Sequence, residues 1–125
     1  MERSDRITMD PWTYGDPDTI GVDVTRNLDL TGFSVEAADG GIGKVDEATY
    51  ETSRSYLVVD TGPWIFGKKV LLPAGIVQRV DLDSETVYVN RTKDDIKSAP
   101  EFDETIYRDE AYRTRIGTYY YGDIR

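Results

Sequence analysis

The sequence predicts a mainly-β domain of six short strands, a small barrel or sandwich, with one short helix and a helical C-terminal extension. Three observations carry this. Apolar-rich segments recur between Gly32 and Asn90 at a spacing of roughly 8–12 residues, with turn residues between them. Several of them alternate in the strand manner. One, Ser55-Tyr56-Leu57-Val58-Val59-Asp60, is apolar on both faces, as suits a strand inside a closed sheet.

The segments follow in order. Gly32 to Ala37 alternates, and Asp39-Gly40-Gly41 reads as a turn whose glycines tolerate positive φ. Ile42 to Ala48 resumes an extended pattern, and residues 49–53 are polar. After the strand at 55–60, Thr61 to Gly67 is a loop bracketed by glycines, with Trp64, Ile65 and Phe66 inside it. Lys68 to Leu72 is the next strand, stopped by Pro73-Ala74-Gly75. Ile76 to Asp81 and Thr86 to Asn90 complete the set, with a turn at Asp83-Ser84. The predicted core is Val35, Val45, Leu57, Val59, Val70, Leu72, Val80 and Val87.

Two extensions flank this unit. Residues 1–29 read as an N-terminal arm, punctuated by Asp10-Pro11, Gly15-Asp16-Pro17-Asp18 and Gly21. Trp12 and Tyr14 either staple the arm to the barrel or meet a partner. Beyond the last strand Thr92 is an N-cap, with Asp95 three residues on as an acidic variant of the capping box. The helix it opens runs to Ser98, and Pro100 ends it. Residues 101–125 form the second extension. Asp109-Glu110 suit a helix start. Tyr112, Ile116, Tyr119 and Tyr120 then recur at helical spacing, and Gly117 either ends or weakens that helix.

The composition excludes many functions. Among 125 residues there is neither cysteine nor histidine. Disulfides, thiolate sites, Cys or Ser-His nucleophiles and imidazole-bound zinc are thereby ruled out. No catalytic residue, metal site or cofactor is expected. The net charge of −9 divides as −4, −3 and −2 over residues 1–31, 32–100 and 101–125. Without a basic patch, no nucleic-acid partner is expected. No apolar run approaches the roughly 20 residues of a membrane helix, and Met1 to Arg6 shows no signal-peptide core. The expectation is a cytoplasmic chain without membrane insertion.

Three patterns suggest chemistry and have plainer readings. Asp81-Leu82-Asp83-Ser84-Glu85 resembles the start of a calcium loop, but Thr86 and Thr92 stand where glycine and a bidentate Glu are needed, so it reads as a hairpin turn. Asp46, Glu47 and Glu51 read as a solvated acidic face. Asp39 to Lys44 lacks phosphate-loop spacing and opens a strand, not a helix. Lys68-Lys69 is the only adjacent basic pair, too small for a nucleic-acid footprint.

The stretch from Leu30 to Pro100 resembles the PRC-barrel domain. The likeness rests on Leu30 to Val35, Asp39 to Val45, Tyr56 to Gly62 and Phe66 to Pro73. The ending, Ala99 to Asp103 with Tyr112 and Tyr119-Tyr120, looks like that of stand-alone actinobacterial members. The resemblance implies a six-stranded, partly closed barrel over residues 30–100. It also implies a docking role without catalytic residues, as in the cytoplasmic part of the reaction-centre H subunit and in a ribosome-maturation factor.

The functional expectation is therefore a non-catalytic interaction or adaptor barrel, not an enzyme, that self-associates as a homodimer. The alternative is a small-molecule or ion-binding regulatory barrel. Trp64, Ile65, Phe66, Tyr112, Ile116, Tyr119 and Tyr120 are the expected protein-contact residues. The apolar loop either plugs one end of the barrel or faces a partner, and the tyrosine stripe packs on its own chain or on a second copy.

Overall fold

β-branched and aliphatic residues on alternate positions form six strands: β1 (Ser34–Ala37), β2 (Gly40–Ala48), β3 (Tyr56–Asp60), β4 (Lys69–Pro73), β5 (Val77–Asp81) and β6 (Thr86–Val89). Three helices accompany them, α1 (Pro17–Ile20), α2 (Lys93–Lys97) and α3 (Glu110–Tyr121). The structure is a computed structural model and describes residues 11–23, 29–50, 55–62 and 68–122.

The strands make one mixed sheet in the order β4-β3-β2-β1-β6-β5. β1 and β6 are parallel, with Val35 beside Val87, and every other pair is antiparallel. The end strands β4 and β5 are consecutive in the chain, joined only by a 3-10 turn at Ala74–Ile76. In a flat sheet five gaps of ~4.8 Å would hold these strands about 24 Å apart. The four links from Pro73 to Val77 reach about 14 Å at most. The sheet must therefore curl until its two ends approach.

The curl is concentrated in β2. Its first half pairs with β1 (Ala37 with Gly40, Ser34 with Lys44) and its second half with β3 (Lys44 with Asp60, Ala48 with Leu57). The hand-over falls at Gly43, with register shifts on either side. Gly43 has φ +149°, and a Cβ there would lie 2.0 Å from the Asp60 carbonyl oxygen. No other residue fits so close a backbone approach.

Val35, Leu57, Val59, Leu72 and Val87 are wholly buried, and Val45 and Val80 nearly so, as the alternation predicts. Val70 differs. It is only partly buried and packs against the core from outside. It lies near the start of an end strand, where a neighbour covers one side only.

Helix α2 has the predicted capping box: Thr92 accepts from the Asp95 amide at 3.1 Å, and Asp95 accepts from the Thr92 amide at 3.2 Å. Helix α1 lies in what the sequence marks only as a punctuated arm. Asp16 caps it, Pro17 takes its first position, and Gly21 ends it at φ +101°. It packs against β5, as α3 packs against β4, so each end strand is attended by one extension.

Candidate interaction surface

The interior comes first, because it decides where a ligand could go. All six strands direct side chains no more than 4% exposed into one cluster, from Val35 and Ile42 to Val80 and Val87. That cluster also holds Tyr14, Ile20, Tyr107, Tyr112, Ile116 and Tyr120 from the extensions. The hollow lined by Ile20, Val22 and Val80 and the one lined by Phe102, Ile106 and Tyr112 both open to the surface.

The predicted contact residues divide. Trp64, Ile65 and Phe66 lie outside the described residues. Tyr112, Ile116 and Tyr120 are buried against their own chain, at 2%, 0% and 6% exposure. Of the two readings of the stripe, packing on its own chain or on a second copy, these three residues follow the first: α3 lies on the sheet and the arm. They are therefore corrected as contact residues for a homodimer. Tyr119 alone of the four is exposed, and its hydroxyl donates to the Asp95 carbonyl within α2.

The packing of α3 explains Gly117, which neither ends nor interrupts the helix. A Cβ there would meet Trp12 Nε1 at 3.3 Å and Pro11 Cγ at 3.4 Å. The arm thus runs beneath the helix. On its other side the Pro11 carbonyl accepts from the Gly75 amide and the Trp12 carbonyl from the Ser55 amide, both at 2.8 Å. The arm is pinned at the corner where β4 turns into β5.

A second seam centres on Glu47, which the sequence places on a solvated acidic face. Its carboxylate accepts from Tyr107 at 2.9 Å, Tyr56 at 3.2 Å and Arg108 at 3.2 Å. Arg108 also lies 4.4 Å over the Tyr107 ring, and Phe102 packs on that ring at 4.9 Å. Burial, then the hydrogen bond and charge of Glu47, push the Tyr107 hydroxyl up to about 12. Burial pushes Tyr112 up to about 12 as well, while its hydroxyl donates to the Glu101 carbonyl at 2.9 Å. Tyr14 stacks on Tyr50 at 6.0 Å and donates to the Thr49 carbonyl at 3.0 Å. These groups form structural seams between the polar extensions and the sheet.

The β5–β6 turn projects Leu82, 49% exposed, beside a groove of about 340 Å³ against α1. Buried Ile20 and Val80 meet partly buried Val22 at its floor. Asp81 and Asp83 stand on the rim. Asp81 accepts from the amides of Asp83 at 3.0 Å and Ser84 at 3.3 Å, which makes it a turn cap, as the hairpin reading requires. The adjacent lysines are both paired, Lys68 with Glu101 and Lys69 with Asp46.

The architecture is a mainly-β fold with a curled, six-stranded mixed sheet and short helices. Searches for a matching family model and for a matching curated protein find none. Among solved structures the chain is similar to a protein provisionally assigned as the 16S ribosomal RNA processing protein RimM of Pseudomonas aeruginosa. The identity is 22% and the TM-score 0.44, over 52% of this chain and 42% of that one. That protein's description names RNA, so the expectation of a chain without nucleic-acid partners is corrected. Net charge averages over a surface and does not bound what a local patch, or a particle built of RNA and protein, can offer. Among the described residues no helix is long and apolar enough to cross a membrane.

Proposed function

We propose that the curled sheet is a partly closed barrel of the PRC type and that the chain is a non-catalytic protein-interaction module. The observation that carries this reading is the filled interior. Ligand-binding barrels keep a concave chamber with a few polar groups aimed into it. Here the inward positions of all six strands hold packed aliphatic side chains. Recognition is left to the outer surface, where the extensions have already covered the end strands. The tyrosine clusters fit this reading, because their hydroxyls join segments of the chain rather than face a hollow.

The test is capture with the tagged full chain from a native lysate, followed by reconstitution of the captured pair from purified components. Ribosomal particles belong among the components examined. A defined partner that binds the purified chain at one-to-one stoichiometry supports the reading. A metabolite that raises the melting temperature of the chain by several degrees, with no reconstituted protein complex, supports the small-molecule alternative instead.

A further inference from the structure

We infer that the groove between α1 and the β5–β6 turn docks a segment of a partner protein in which one large apolar side chain sits between lysines or arginines. This rests on the protein-interaction reading and names the chemistry of the partner.

Two properties of the groove select that occupant. Its floor is apolar, built from Ile20, Val22 and Val80, and Leu82 stands exposed at its edge. A leucine at the tip of a turn, where polar residues are usual, adds apolar area just where a visiting side chain would need a second wall. Its surroundings are acidic. Asp81 and Asp83 line it, Asp16 and Asp18 stand at the start of α1, and Glu85 follows the lining residues in the chain. Arg79 is the one cation in the lining, and it lies 4.1 Å over the Tyr88 ring, with Asp81 3.9 Å away. Among the described residues, carboxylates in and beside the lining therefore outnumber this arginine. A basic segment is steered towards such a surface.

The same charges weigh against the other occupants. Phosphates of RNA or of a lipid surface would approach carboxylates. A second copy placed symmetrically on the groove would bring the same acidic rim against itself. A small molecule would find an open groove instead of an enclosing pocket.

The experiment is to pan a displayed library of random short peptides against the full chain, then measure the enriched peptides by amide chemical shifts and fluorescence anisotropy. Leu82→Ser and Asp83→Asn serve as variants, and a single-stranded RNA oligonucleotide as the competing probe. Both substituted side chains are on the exposed turn, and unchanged thermal melting confirms that the variants are folded. The expected peptides carry a leucine, isoleucine or aromatic residue between basic ones and shift the amides of 19–22 and 79–85. Their affinity falls about tenfold in Leu82→Ser, the loss of roughly half of one buried leucine's contribution. It falls further with added salt. Peptides without that pattern, or binding indifferent to both variants, overturn the groove assignment and leave the protein-interaction reading standing. RNA shifting the same amides overturns the choice of a protein occupant. Enrichment of no peptide at all counts against both the groove and the reading beneath it.

Discussion

The interior of the curled sheet and the seams that fasten its extensions are built from different chemistry. The interior is valine, leucine and isoleucine, held by shape and by exclusion of water. The seams are tyrosine: Tyr14, Tyr56, Tyr107 and Tyr112 bury their rings and spend their hydroxyls on Thr49, Glu47 and Glu101. An aliphatic interior can pack in more than one way. A phenol bonded to a particular oxygen cannot shift without losing that bond. The difference shows how a small curled sheet fixes two polar extensions in single positions: aromatic faces supply burial, and directional hydroxyls supply registration.

Substitutions can break each half of this contrast separately. The largest effect is expected in the interior. Val59→Asp places an unpaired carboxylate at a wholly buried position and should cost about 3–5 kcal/mol, enough to unfold the domain. Circular dichroism melting reads this directly, and an unchanged melting temperature would remove β3 from the core. Gly43→Ala comes next. Its Cβ would press on the Asp60 carbonyl in a backbone conformation that alanine resists, for about 2–4 kcal/mol by denaturant titration.

The seams should respond more mildly and with telling differences. Tyr112→Phe gives up a hydrogen bond and leaves the Glu101 carbonyl without it, for about 1 kcal/mol. Tyr120→Phe is the counterpart. Its hydroxyl is buried with no hydrogen-bond partner among the described residues, so its removal should be neutral or stabilising. Equal losses in the two variants would show that the hydroxyls do not discriminate.

The smallest effect is in alkaline solution. Tyr107 and Tyr112 titrate near 12 in the folded chain, against 10.0 for an ordinary tyrosine. A raised folded value means that their contribution is complete below pH 10, declines as the unfolded chain deprotonates, and is lost as pH rises through about 12. Denaturation midpoints measured across that window should fall, and Tyr107→Phe should flatten part of the slope. A slope identical to wild type would place Tyr107 in solvent.

Much of the sheet was legible because its signals are local. Alternation over five or six residues located every strand to within about two residues, and Thr92 with Asp95 announced α2 from four consecutive positions. The seams were not legible, because their partners are distant in the chain. Glu47 reads as a solvated carboxylate until Tyr107, sixty residues on, is seen to donate to it. Gly117 reads as a helix stop or a weak point until Pro11 and Trp12 are found beneath it. Helix α1 did leave signals in Asp16, Pro17 and Gly21, but a four-residue helix is too short to show a period. The candidate groove was the least legible. Asp81 to Glu85 announced a turn, and nothing in those residues told that α1 would lie beside it.

The central claim is that arm, tail and curled sheet make one body with a filled interior, leaving only the outer surface to meet partners. Amide hydrogen exchange on the full chain tests it most directly. The Ser55 and Gly75 amides donate to the arm, while the Val58 and Val59 amides lie in the core strand β3. If the arm is locked beneath α3, all four should exchange through the same global opening, with protection within about tenfold of one another. Ser55 and Gly75 exchanging a thousandfold or so faster than a protected β3 would show that the arm detaches on its own, and would contradict the account.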